Sequence, residues 1–138
     1  MILADTSAWV EYLRATGSDV NRCLRGALRA SVPVAMTEVV AMELLAGARD
    51  ADHRDRLARL IRSCPFLPLA GLADFEGAAA LYRSCRASGS PVRHLTDCLI
   101  AIVAIRHRVA LLHRDVDFDR LARHSQLRVV DPAGFAPS

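Results

Sequence analysis

The stretch that most restricts the fold is TDCLIAIVAI, residues 96–105. Its length and the acid in its first turn read as a helix, yet after that turn it is apolar on every side. A helix without a polar face must be enclosed by the rest of the chain. The spacing therefore predicts a central helix over 96–107, with the other elements packed around it. At 138 residues and 52% hydrophobic content, the chain can bury one such core. We expect one domain over 1–138, with the tail DPAGFAPS, 131–138, frayed.

Around the central segment, short β-branched or apolar runs alternate with longer runs of helical period. Strands are expected at 1–5 (MILAD), 32–37 (VPVAMT), 66–69 (FLPL), 109–113 (VALLH) and 128–130 (RVV). Helices are expected at 7–15, 19–30, 38–47, 51–63, 72–88, 96–107 and 117–124. That order describes an α/β fold: a parallel sheet of four to five strands covered by helices on both faces. No apolar run reaches the roughly 18 to 20 residues of a membrane span, and MILADTSAWV has an acid where a leader would carry basic residues. A cytoplasmic chain that makes no membrane contact is expected. Cys23, Cys64, Cys85 and Cys98 form no C-x-x-C pair and read as structural thiols, not as disulfides or zinc ligands.

The sequence LLHRDVDFDRL, 111–121, leaves a strand by placing Asp115, Asp117 and Asp119 at alternate positions. In an open α/β sheet, ligands bind beyond the carboxyl ends of the strands. Asp5 ends the first strand, Asp115 follows VALLH, and Asp97 opens the enclosed helix. Glu43, in TEVVAMELLAG, lies between Val39 and Val40 on the helical wheel. Each acid has a purely structural role open to it. Asp5 and Asp115 suit helix caps, Asp97 suits the helix dipole, and Glu43 suits the edge of an exposed face.

A cluster of all four is a different matter. Two carboxylates about 4 Å apart repel by roughly 4 kcal/mol at an effective dielectric near 20. Convergence therefore demands positive charge. The chain carries a formal charge of +3, and every one of its basic residues other than His is Arg, because it has no Lys. A receiver domain needs a Lys beside its phosphoacceptor. A phosphatase with an aspartyl nucleophile needs a Lys and a second Asp where this chain has Ser7. Both are excluded. A divalent ion with oxygen ligands, Mg2+ or Mn2+, is the natural counter-charge, and metal-activated water attacking a phosphodiester is the reaction class.

Four blocks in order, ADTSAWVEYL, TEVVAMELLAG, GSPVRHLTDCLIAIVAI and HRDVDFDRLA, resemble the PIN-domain ribonucleases and, more narrowly, the VapC toxins of VapBC toxin–antitoxin pairs. The likeness spans Ile2 to about Val130. It implies a three-layer α/β/α fold and RNA hydrolysis with Mg2+ or Mn2+ held by Asp5, Glu43, Asp97 and Asp115, and with Asp117 as a fifth acid. It also implies a homodimer and a cognate VapB-type antitoxin that lays an arginine-bearing segment over the acidic pocket. His113 stands where relatives often have Thr or Ser, which brings a group that titrates near neutrality. The competing readings are a non-catalytic interaction or RNA-binding scaffold, and a PIN nuclease of RNA processing.

Weaker expectations concern the surroundings of the acids. Thr6 either caps the first helix or orients a water. Arg93 and Arg114, nearest the acids in sequence, either guide the RNA backbone or are solvated surface charges. Asp119 should turn away as an ordinary first-turn acid while Phe118 anchors the turn. Trp9, Tyr12 and Leu13 form a stripe that serves either core or partner.

Overall fold

A computed structural model describes residues 1–135. In chain order its elements are β1 (Ile2–Ala4), α1 (Thr6–Leu13), α2 (Asp19–Arg29), β2 (Val34–Ala35), α3 (Glu38–Ala46), α4 (Ala51–Ser63), α5 (Leu72–Ala87), α6 (Leu95–His107), β3 (Ala110–Leu112) and α7 (Val116–Arg123). All seven expected helices are present, each within two residues of its expected bounds.

The sheet is parallel and has the order β2-β1-β3. Ile2 pairs with Val34 on one side and with Ala110 on the other. The first connection runs from β1 to β2, and the second returns past β1 to β3. Right-handed crossovers put α1 and α2 on one face and the helices between β2 and β3 on the other.

Three strands form where four to five were expected. The segments at 66–69 and 128–130 survive only as single parallel bridges, Met36 to Phe66 and Leu111 to Val129. Proline explains the first. Met36 N–H donates to the carbonyl of Pro65 at 2.9 Å, and Leu67 N–H donates to that of Met36 at 2.8 Å. Pro68 then has no N–H with which to continue the ladder. On the other edge, Val130 N–H donates to the carbonyl of Leu111 at 2.8 Å, and Pro132 follows two residues later. Residues 131–135 make two local contacts. Ala133 N–H bonds to the Asp131 carboxylate at 3.1 Å, and Phe135 packs against the core. Residues 136–138 lie outside the described residues.

The core lies around β1, β3 and α6. Leu3, Ala4, Leu111 and Leu112 are fully buried, as are Trp9, Cys98, Ala101, Val103 and Ala104. No residue from Thr96 to Ile105 is exposed, as an all-apolar helix requires. α6 is wrapped by α5, α3 and α7 and lies against β3. Arg108 closes it in the left-handed conformation, φ 55°, and turns the chain into β3. All four cysteines are free. No helix among the described residues is long and apolar enough to cross a membrane.

One polar contact fastens α6 to α5. The buried carboxylate of Asp74 accepts from Arg106 Nε at 3.1 Å and Nη2 at 2.8 Å, and from Ala70 N–H at 2.7 Å. Burial raises the pKa of this carboxyl, but the bonds from Arg106 and Ala70 outweigh burial and hold it below the usual range. Arg106→Ala strands that charge, and urea denaturation should show a loss of about 2 to 4 kcal/mol. Adding Asp74→Asn to Arg106→Ala should recover part of the loss.

Candidate metal centre

The carboxyl ends of β1 and β3 are tied together. Asp5 N–H donates to the Leu112 carbonyl at 3.1 Å, and Arg114 N–H donates to Ser7 Oγ at 2.8 Å. Asp5 itself is the N-cap of α1. Its Oδ1 accepts from Ala8 N–H at 3.1 Å and from the Ser7 hydroxyl at 2.7 Å. Although only 3% exposed, it therefore combines a capping role with a place at the pocket. Burial pushes its pKa up to about 7. The Ser7 and Ala8 bonds oppose that rise, and the negative charge of Asp97 adds to it. Thr6 does not cap the helix. Its hydroxyl crosses to α3 and donates to Glu43 Oε1 at 2.9 Å, fixing the half-buried Glu43 beside α1.

Asp97 lies in the first turn of α6 and is buried, and its Oδ2 has no hydrogen-bond partner. Its pKa is pushed up to about 6, first by burial and then by the charge of Asp115, with Glu43 and Asp117 adding and His94 opposing. Asp97 thus feels Asp115, Glu43 and Asp117, and its own charge acts on Asp5. An orphaned buried carboxylate oxygen among further acids is what a hard divalent cation fits. Oxygens of Asp97 and Asp117 and a ring nitrogen of His94 lie within 4.8 Å of one another. Sequence reasoning missed His94; its signal was the i, i+3 spacing to Asp97 across the helix start.

Asp115 caps α7, its Oδ1 accepting from Asp117 N–H at 3.0 Å. The same oxygen accepts from Arg93 Nη2 at 2.8 Å. Asp117 is fully buried, and both its oxygens are taken. Oδ1 accepts from Arg120 at 2.6 Å, while Oδ2 accepts from Arg93 Nε at 2.9 Å and Arg93 N–H at 3.1 Å. Burial raises its pKa, but the bonds from Arg93 and Arg120 hold it below the usual range. Asp117 therefore stands as the partner of two arginines, not as an open ligand.

The surroundings of the acids take definite partners. Asp119 is an exposed first-turn acid of α7, as expected, and its carboxylate also meets His113 Nε2 at 3.2 Å. His113 Nδ1 accepts from Asp115 N–H at 3.1 Å, and the ring packs on Phe118 at 5.3 Å between centroids. Burial pushes the imidazole below its ordinary pKa, against the pull of Asp119. With Nδ1 as acceptor, the neutral ring carries its proton on Nε2. Arg114 pairs with Glu11, which points it away from the acids. The stripe on α1 divides: Trp9 is buried, Tyr12 half-buried, and Leu13 exposed.

A family model described as the PIN domain matches residues 2–124. Ribonuclease VapC11 of Mycobacterium tuberculosis strain H37Rv is 47% identical over 132 residues, covering 93% of this chain and 96% of that protein. VapC ribonuclease Mb1587 of Mycobacterium bovis matches to the same extent. Among solved structures, VapBC2 from Rickettsia felis bound to a promoter DNA fragment superposes with a TM-score of 0.73 at 18% identity, covering 94% of this chain and 98% of that one. FitAcB from Neisseria gonorrhoeae gives 0.68 at 21% identity, with 98% and 100% coverage. The chain belongs to the PIN-domain family and, within it, to the VapC ribonucleases.

The geometry carries a stability prediction. Both raised carboxyls stabilise the ion-free fold while protonated, fully below about pH 4, and that contribution is lost as pH rises through 6 and 7. Asp97→Asn removes its share of the loss. In EDTA at pH 8 the variant should unfold about 3 to 8 °C above the parent by differential scanning calorimetry, and an unchanged or lower midpoint would contradict this account.

Proposed function

We propose that this chain is an Mg2+- or Mn2+-dependent endoribonuclease, the toxin of a toxin–antitoxin pair. The observation that carries the reading is the unpartnered, buried Asp97 Oδ2 at the centre of an acid cluster, in a chain 47% identical to named VapC ribonucleases. Asp5, Asp97 and Asp115 would hold the ion, with Asp117 in support. When bound, the ion neutralises the cluster and supplies Lewis acidity toward a phosphoryl oxygen.

The rest of the chemistry falls to side chains. Thr6 holds Glu43 through Oε1, leaving Oε2 to accept a hydrogen bond from the attacking water and then its proton. Ser7 keeps Asp5 in register with β3. His113, fixed by Asp119 and Phe118, holds the backbone of Asp115. RNA is the substrate. The working unit is a single PIN domain, cytoplasmic, and assembles as a homodimer.

The partner is a VapB-type antitoxin. A groove of about 450 Å³ runs between α1, α3 and α4. Leu13, Leu44, Leu57 and Leu60 line it, together with Arg14, Arg49 and Arg56, and Thr6 and Glu43 belong to the same groove. An apolar segment with acidic flanks suits it, and its arginine-bearing end would reach the acids. The solved relatives of this fold include the toxin–antitoxin complex from Klebsiella pneumoniae, with a TM-score of 0.69.

Three outcomes are expected. Asp97→Asn should fold and lose Mg2+-dependent RNA cleavage by at least about a hundredfold; undiminished cleavage, or no saturable Mn2+ uptake by the parent, refutes the reading. Since the ion needs Asp5 and Asp97 ionised, Mn2+ affinity measured calorimetrically should rise at least about tenfold from pH 5.5 to 7.5. Leu13→Asp should abolish co-purification with the cognate antitoxin and leave RNA cleavage intact.

A further inference from the structure

Arg93 reaches two acids at once from the short non-helical segment between α5 and α6. Its backbone N–H and Nε both donate to Asp117 Oδ2, and Nη2 donates to Asp115 Oδ1. We propose that Arg93 is a tethered cation that fills the acid cluster while no divalent ion is present. On ion binding it releases Asp115, stays anchored to Asp117 and turns its freed guanidinium nitrogens to the RNA phosphate. The proposal rests on the nuclease reading above and assigns the cluster its counter-charge in the ion-free state and a phosphate-binding group in the loaded one.

The two attachments are unequal, and that inequality is the argument. The Asp117 end is closed: the carboxylate has no exposed side-chain surface, it accepts two bonds from Arg93, and Arg120 neutralises its other oxygen. The Asp115 end is open, with 23% of that side chain and 60% of the arginine's exposed. Val92, just before it in the chain, is buried, and the Arg93 N–H is bound to Asp117, so the backbone at Arg93 is held and the outer guanidinium is the part free to move. A divalent ion and Nη2 compete for the same carboxylate, and like charges on one oxygen repel. The ion displaces the weaker attachment. The Nη atoms, still held near the cluster through Nε, then offer a planar pair of donors to a phosphate.

The first test is Mn2+ binding without RNA, by titration calorimetry on the parent and on Arg93→Ala and Arg93→Gln. A competing cation lowers apparent affinity by the fraction of molecules in which it must be displaced, so both variants should bind Mn2+ roughly three- to tenfold more tightly than the parent. Equal or weaker binding in the variants overturns the proposal and leaves the nuclease reading standing. The second test follows the Arg93 side chain of the parent by 15N NMR during Mg2+ titration. The Nε–H resonance should persist while restricted rotation of the Nη groups is lost; loss of both, or of neither, also overturns it. The third is cleavage at saturating Mn2+, where Arg93→Ala should be at least about tenfold slower, with a shallower salt dependence. Undiminished cleavage excludes the phosphate contact. A parent that takes up no Mn2+ sinks the nuclease reading and this proposal together.

Discussion

The position of Asp97 governs the rest of the structure. A carboxylate in the first turn of a helix is ordinarily favoured by the helix dipole and solvated by water. Here the helix is α6, enclosed by other elements, so the dipole remains while the water is largely removed. The result is an acid with a bare oxygen and a pKa pushed up to about 6. Every neighbouring group can be understood by whether it relieves or sharpens that situation. Asp115, Glu43 and Asp117 sharpen it, whereas His94, 3.8 Å away, relieves it.

The chain accommodates the other acids locally. Asp5 spends its lone pairs on the first turn of α1, Asp115 caps α7, and Asp117 is closed off by two arginines. Each of these is also a structural contact that fixes a strand end or a helix start. Capping and a place in an acid cluster look like alternatives in the sequence, but Asp5 and Asp115 each cap a helix through Oδ1 alone, which leaves Oδ2 out of the cap. This explains how the fold tolerates the cluster at all. Only Asp97 Oδ2 is left without a partner among the buried oxygens of these acids, and it lies where the strands deliver the others.

Helices were legible because their signals are local: periodicity, caps and glycine stops. The all-apolar segment even indicated which helix would be central. The outer strands were not legible, since an apolar run such as FLPL looks like a strand until the ladder needs the N–H that Pro68 lacks. Asp5, Asp97 and Asp115 were legible as acids at strand ends and helix starts, and Glu43 as an acid between apolar positions on the helical wheel. Partner choice was not. Nothing in HRDVDFDRL says that Asp119 takes His113, or that Arg114 takes Glu11 on α1, because the first contact depends on how the chain turns from β3 into α7 and the second on how that turn meets α1. Arg93 was singled out for its nearness in sequence, and its fork between Asp115 and Asp117 needed the fold.

That fork also gives physical meaning to the absence of lysine. An ammonium is a single point of charge, but the guanidinium spans two carboxylates through separate nitrogens, so one attachment can open while the other holds. The hydrogen bond that Arg93 donates to Asp117 and the charges of Asp115 and Asp117 raise the pKa of Arg93 above an already high ordinary value. It therefore keeps its proton at any pH the protein meets. Loss of the arginine's own proton therefore never frees it from Asp115, whereas a competing cation can. Between about pH 5.5 and 7.5 the pH dependence of ion uptake then belongs to Asp5 and Asp97, whose carboxyls are pushed up to about 7 and about 6, while the charge of Arg93 stays fixed.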